Sequence, residues 1–142
     1  MAEPPASFKE FEHTADLGVE ITATTFPALL AASGEALFAL IADPENIEIR
    51  EETVVSASGE GPEELLHAWL CELLARFNIE GFIGKKCSID QITANRVDGT
   101  IRGEKLDLNR HRFQTEIKGV TYHEFRVWQE DGLWHARVIF DV

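Results

Sequence analysis

The chain has 142 residues, 44% hydrophobic and 27% charged, a size and balance that give one folded domain with a real core and exclude a disordered segment. Thirteen Lys and Arg against 25 Asp and Glu leave a formal net charge of −12 and a pI near 4.7. Affinity for nucleic acid rests on phosphate neutralisation by Lys and Arg, so this balance argues against nucleic acid as the main partner and suits a basic partner or divalent cations instead.

No apolar run approaches the roughly 18 residues that span a bilayer, so no membrane association is expected. The opening Met-Ala-Glu-Pro-Pro lacks the basic and apolar regions of a signal peptide. Cys71 and Cys87 form neither a CxxC nor a disulfide framework, and free thiols in a reducing cytoplasm are expected.

Taken in order, residues 1–7, with Pro4 and Pro5, read as a flexible tail, and residues 8–142 as a single domain. A strand is predicted near Phe8–Glu12, then a polar turn His13-Thr14-Ala15-Asp16, then a strand over Gly18–Thr24 with Val19, Ile21 and Ala23 on one face. Thr25 as N-cap and Pro27 in the first turn start a helix that runs to about Ala42, with Phe26, Leu30, Ser33, Leu37 and Ile41 as its stripe. Extended segments follow at Ile47–Arg50 and Thr53–Ser58. Gly61-Pro62-Glu63-Glu64 opens a second helix, apolar through Leu65, Leu66, Trp69, Leu70, Leu73, Leu74 and Phe77. From Phe82 the pattern is all β: Phe82–Ile89, Gln91–Val97, Thr100–Gly103, Gln114–Thr121, His123–Gln129 and Leu133–Val142, with Asp98-Gly99 and Asp131-Gly132 as hairpin turns. The fold class expected is α+β, a mostly antiparallel or mixed sheet with two amphipathic helices packed on one face. A doubly wound parallel sheet is unsuited, because the second half offers no crossover helices.

There is no GxGxxG, P-loop, HExxH, GxSxG or EF-hand loop. His67 and Cys71, four apart on the second helix, could present two soft ligands, but they fall opposite the leucines and read as an ordinary exposed face. Asp16, at the end of a polar turn, and Asp141 with the terminal carboxylate of Val142, at a strand end, could form a hard oxygen site for Ca²⁺ or Mg²⁺ if the two rims meet. The plain alternative is a turn cap and a solvated strand end. Lys118 precedes Gly119, where close backbone approach is possible, and reads otherwise as a solvent-facing strand lysine.

Read together, Phe11-Glu12-His13-Thr14-Ala15-Asp16-Leu17-Gly18, Glu63-Glu64-Leu65-Leu66, Gly103-Glu104-Lys105-Leu106-Asp107, Ile117-Lys118-Gly119-Val120-Thr121-Tyr122-His123 and the closing Phe140-Asp141-Val142 resemble the archease family over about Phe11 to Val142. Gly119 stands where the family usually has alanine, and Cys71 where it often has asparagine. The resemblance implies a protein that is not an enzyme but activates the tRNA-splicing RNA ligase, the one joining a cyclic-phosphate RNA end to a hydroxyl end. It implies promotion of the ligase's GTP-dependent guanylylation and multiple turnover, with tRNA met only through the ligase. It also implies a divalent metal, calcium by the family's usual description, on Asp16, Asp141 and Val142, and an activating role for Lys118. The competing readings are a general protein-binding chaperone, which needs a contiguous apolar patch, and a metal-dependent hydrolase using Asp16, Asp141 and a histidine.

Overall fold

The structure, a computed structural model, describes residues 6–13 and 16–142, the side chains of 11–13 excepted. Most of the expected tail, residues 1–5, thus lies outside the described residues, as do Thr14 and Ala15 of the predicted polar turn; strand β1 begins at Ser7.

β1 (Ser7–His13) and β2 (Asp16–Ala23) form a hairpin, followed by helix α1 (Phe26–Ile41) and β3 (Glu51–Ser58). Helix α2 (Pro62–Glu80) leads to β4 (Phe82–Ile92) and β5 (Arg96–Lys105), and after a loop come β6 (Gly119–Val120), β7 (Arg126–Glu130) and β8 (Leu133–Asp141). The α+β expectation holds, and every pairing of these strands is antiparallel. The strands divide between two sheets, β1-β2-β8-β6 with β7 also on β8, and β3-β5-β4. α1 packs on β4 and β2, and α2 on β3, β4 and the β6–β7 end of the first sheet, so the helices and the one core lie against both sheets.

Local chemistry accounts for the helix ends. The Thr25 side chain accepts the Ala28 backbone N–H at 3.2 Å, as an N-cap should. α2 starts at Pro62 with Glu63 and Glu64 in its first turn and stops at Gly81, which takes the left-handed conformation at φ 69°. α1 is buried around more than the predicted stripe, with Leu29, Ala36 and Leu40 covered as well as Leu30, Leu37 and Ile41, because it touches both sheets and α2. The two helices are stitched by the fully buried Trp69, whose indole N–H donates to the Leu30 carbonyl at 2.9 Å.

Two hairpin signals fared differently. Asp131 (φ 55°) and Gly132 (φ 75°) make the predicted tight turn between β7 and β8 and set Arg126 opposite Arg137 and Val127 opposite Ala136. Asp98-Gly99 makes no turn. The chain reverses instead at Thr93-Ala94-Asn95, where Thr93 N–H donates to the Arg96 carbonyl at 2.8 Å, and Asp98 and Gly99 sit inside β5. Gly99 serves packing: a Cβ there would lie 2.5 Å from the Trp69 ring and 2.8 Å from the Ser88 carbonyl oxygen. Likewise Gln114–Thr121 contributes only β6 to a sheet, and β7 begins at Arg126, three residues after the predicted His123.

These positions give a paired prediction. Gly99→Ala drives a methyl into Trp69 and should lower stability by about 1–3 kcal/mol, the usual range for overpacking. Gly119→Ala meets nothing within 4 Å, so its stability should stay within about 0.5 kcal/mol of the wild type or rise slightly. Urea midpoints of the two variants check both.

Candidate metal-binding rim

The register of β8 brings the candidate residues of the two chain ends together. Along one edge β8 pairs with β2 from Ala23↔Trp134 to Asp16↔Asp141, so the two aspartates stand directly opposite each other at the rim. Directly opposed residues of antiparallel strands point to the same face, about 5 Å apart at Cβ. On the other edge Gly119 of β6 is opposite Asp141, and the Lys118 N–H donates to the Asp141 carbonyl at 2.7 Å. The row across the sheet therefore reads His13, Asp16, Asp141, Gly119, with Lys118 attached to it through its backbone.

Each member has a distinct environment. The Asp141 side chain is exposed and Asp16 partly so, while Val142 packs half-buried against the core, on the opposite face to Asp141 by alternation. The Lys118 side chain is exposed, and its ammonium meets no acceptor among the described residues. Gly119 is not there for close approach, since a Cβ would meet nothing within 4 Å; the consequence is an open position beside Asp141. Among the described residues no three His, Cys, Asp or Glu side chains cluster as a metal set. Among the described side chains the rim offers two carboxylates, with main-chain oxygens beside them, hard donors of the kind Ca²⁺ and Mg²⁺ take.

Two anchors hold the Lys118 segment. Upstream, the Glu104 carboxylate of β5 is buried and takes hydrogen bonds from Glu48 N–H at 2.6 Å, His111 Nε2–H at 2.9 Å and the Arg110 guanidinium. His111 Nδ1 accepts the Asp107 N–H at 2.8 Å, so the ring is locked at both nitrogens. The loop then joins the end of α1 through Asp43 N–H to Arg112 O and Gln114 N–H to Ile41 O, and Ile117 enters the core. Downstream, His67 of α2 donates Nε2–H to the Val120 carbonyl at 2.8 Å, and its ring stacks on Tyr122 with centroids 3.8 Å apart and planes 12° from parallel.

That second anchor corrects the sequence reading of α2. His67 is buried against β6 rather than on an exposed face, because the β6 strap crosses this side of the helix. Cys71 alone is exposed, with Sγ 3.6 Å from His67 Nδ1. The Cys71 sulfur itself is part-buried beside His67, and that desolvation, reinforced by Glu72, raises the thiol pKa. The helical period marked the leucine face as inward and had no means to register a strap returning from fifty residues downstream. The one signal available was the aromatic run Tyr122, His123 and Phe125 beside a lone helical histidine.

With this geometry in place, the comparisons are specific. The model of the Archease protein family (MTH1598/TM1083) matches residues 8–142. The chain is 39% identical over 138 residues to the protein archease of Methanopyrus kandleri, covering 95% of this chain and 99% of that one. It is 33% identical to the protein archease of Pyrococcus furiosus, at 95% and 98% coverage. The solution structure of protein 1598 from Methanobacterium thermoautotrophicum superposes with a TM-score of 0.82 at 33% identity, covering 95% of this chain and 98% of that one. A Thermotoga maritima crystal structure, described as an archease and possible chaperone, shares the fold with a TM-score of 0.67 at 22% identity, with 94% and 96% covered. The chain belongs to the archease family.

The Glu104 anchor has a pH signature. Burial alone would raise this carboxyl, but the bonds from Arg110, Glu48 N–H and His111 outweigh it and hold the pKa at about 2 against an ordinary 4.5. A carboxyl lowered in the folded state stabilises it fully above the unfolded value, and the contribution drains away as pH falls from about 4.5 toward 2. Glu104→Gln should lose about 2 kcal/mol at pH 7 and show a shallower fall of thermal midpoint below pH 4.5. Identical acid profiles for variant and wild type would remove the anchor.

Proposed function

We propose that this chain is a non-catalytic protein cofactor of the RNA ligase that joins cyclic-phosphate and hydroxyl RNA ends, promoting the ligase's GTP-dependent guanylylation and its multiple turnover in tRNA splicing and repair. Membership of the archease family supports the class. The observation that carries the reading is the shared rim: Asp16 opposite Asp141, with Lys118 bonded through its N–H to the Asp141 carbonyl.

Asp16, Asp141 and an oxygen of Val142 would hold a divalent cation, calcium being the ion proposed. Bound there, it supplies charge neutralisation and a point of positive field. The residues supply the rest. Like charges directly opposite across a pair of strands repel, so a cation shared by the facing aspartates would relieve that repulsion. Lys118 brings a compact ammonium, free of partners within the described residues, to the edge of the same row. Such a group contributes by positioning and charge stabilisation toward a triphosphate or a partner's carboxylate, with no bond made or broken by this chain. A net charge of −12 favours docking on a ligase that is basic because it holds RNA, and leaves tRNA as an indirect partner. No helix among the described residues is long and apolar enough to cross a membrane, and the cytoplasm is the compartment proposed.

Guanylylation of the ligase by GTP, followed with and without this chain, is the decisive experiment. Asp16→Ala and Asp141→Ala should each lose stimulation and calcium binding together. Lys118→Ala should lose stimulation while calorimetry shows calcium affinity retained, and Lys118→Arg should recover little, because a planar guanidinium carries its charge differently. Stimulation at the wild-type level by any of these removes that residue from the site. If the chain alone suppresses aggregation of an unrelated protein without affecting guanylylation, the chaperone reading replaces this one.

The opposed carboxylates give a separate test that needs no ligase. Asp141→Asn removes one of two facing charges, so the calcium-free variant should melt at or slightly above the wild-type temperature, and the rise that calcium gives the wild type should vanish. A calcium-induced rise that survives in Asp141→Asn rules out the paired-aspartate site.

A further inference from the structure

Tyr122 is the most exposed of the Phe, Tyr and Trp rings among the described side chains, at 68%. It is nevertheless not loose. One face lies on the buried His67 ring, 3.8 Å between centroids and 12° from parallel, and Phe125 meets the His67 ring edge-on at 5.3 Å. His67 is itself fixed by its bond to the Val120 carbonyl. The strap from Lys118 to Phe125 is further pinned by Lys118 N–H to Asp141 O at 2.7 Å and Thr121 N–H to Ile139 O at 3.0 Å. A large ring with only two side-chain torsions, already ordered on one face and open on the other, is the kind of group that carries binding energy at protein interfaces, because little entropy remains to be lost.

Resting on the ligase-activation reading above, we infer that Tyr122 is the aromatic anchor by which the Lys118 strap docks on its protein partner, with His67 as the residue that positions it. The surface needed on the partner is a pocket with apolar walls that closes on the free ring face, set in a basic surround and flanked by an acidic group or phosphate within reach of Lys118. A protein suits this better than RNA. Bases also stack on tyrosine, but an RNA would have to approach a chain of net charge −12, on a strap whose Tyr122 is followed two residues later by Glu124 and backed by a helix bearing Glu63, Glu64 and Glu72. His67 has no contact with solvent chemistry of its own here; it acts through the ring it supports.

The test is the affinity of purified ligase for this chain, by calorimetry, with guanylylation, calcium affinity and thermal midpoint measured on the same samples. Tyr122→Ala should weaken binding at least tenfold with calcium affinity and melting unchanged. Tyr122→Phe should bind within about threefold of the wild type, since the ring and not the hydroxyl is the anchor. His67→Gln, which can still donate to Val120 O but offers no ring, should weaken binding to an intermediate degree. Binding by Tyr122→Ala within threefold of the wild type overturns the inference, and if Lys118→Ala still loses stimulation the activation reading survives it. A wild-type chain that does not bind the ligase sinks both. Unchanged ligase affinity in Tyr122→Ala with loss of a tRNA interaction seen for the wild type would make Tyr122 an RNA contact and also overturn it.

Discussion

Strand β8 is bonded on both edges, and its register is the constraint from which the rest of the rim follows. β2 accompanies it from Trp134 to Asp141, while β7 and β6 share the other edge, β7 from Leu133 to Arg137 and β6 at Phe140 and Asp141. A one-residue slip would turn every β8 side chain to the wrong face. Ala136, Val138 and Phe140 would leave the core and Asp141 would enter it, so the hydrophobic cost of the slip guards the position of the carboxylate. The tight turn at Asp131-Gly132, with both residues at positive φ, fixes the same register from the other end. The position of Asp141 is thus held by the burial of Phe140, Val138 and Ala136, one, three and five residues before it.

Charge across this sheet is handled in two ways. Arg126 stands directly opposite Arg137, an arrangement that should repel, and the chain resolves it internally. Arg126 lies over the Trp128 ring at 4.5 Å, and Arg137 bonds Glu20 on β2 at 3.1 Å and approaches Glu124 at 3.8 Å. Asp16 and Asp141 make the conflict of opposite sign at the far end of β8, across its other edge, and no Lys or Arg side chain among the described residues pairs with the Asp141 carboxylate. The sheet thus supplies Glu20, Glu124 and the Trp128 ring to its arginine pair, while the Asp141 carboxylate faces outward at the rim.

Much of this was readable in the sequence, for identifiable reasons. The helices were marked by caps and period: Thr25, Pro27 and the Gly61-Pro62-Glu63-Glu64 start act within one turn, where local physics decides. The β7–β8 turn was equally local. What failed was non-local. Asp98-Gly99 carries the letters of a turn, but Gly99 is small because Trp69 presses on it from another element. Gln114–Thr121 has strand-like composition, but most of it is spent tying the Glu104 loop to α1, through contacts no period records. Helical phase set against the leucines alone places His67 on the exposed face, and the β6 strap that covers it lies more than fifty residues away in the chain. For the rim, the sequence offered the residue types and a family resemblance; the meeting of residue 16 with residue 141 is a fact of topology and came only from the fold.

The division between frame and strap carries the last step. The frame is a core with Trp69, Phe38 and Phe140 fully buried, and it fixes Asp16 and Asp141 through strand register. The strap is short and mostly exposed, held by main-chain bonds at Lys118 and Thr121, by Ile117 in the core and by His67 beneath Val120 and Tyr122. A binding group on such a segment can meet a partner side-on while the rim beneath it stays rigid, because little of the core is staked on the strap's outer side chains. The rim aspartates and the outer side chains of the strap therefore lie on separate supports, joined through β8 by main-chain bonds that include Lys118 N–H to Asp141 O and Thr121 N–H to Ile139 O. Through those bonds an ordering of the rim would be felt at the lysine, and a contact made on the strap would be felt at the aspartate, since any coupling between the two events must be reciprocal.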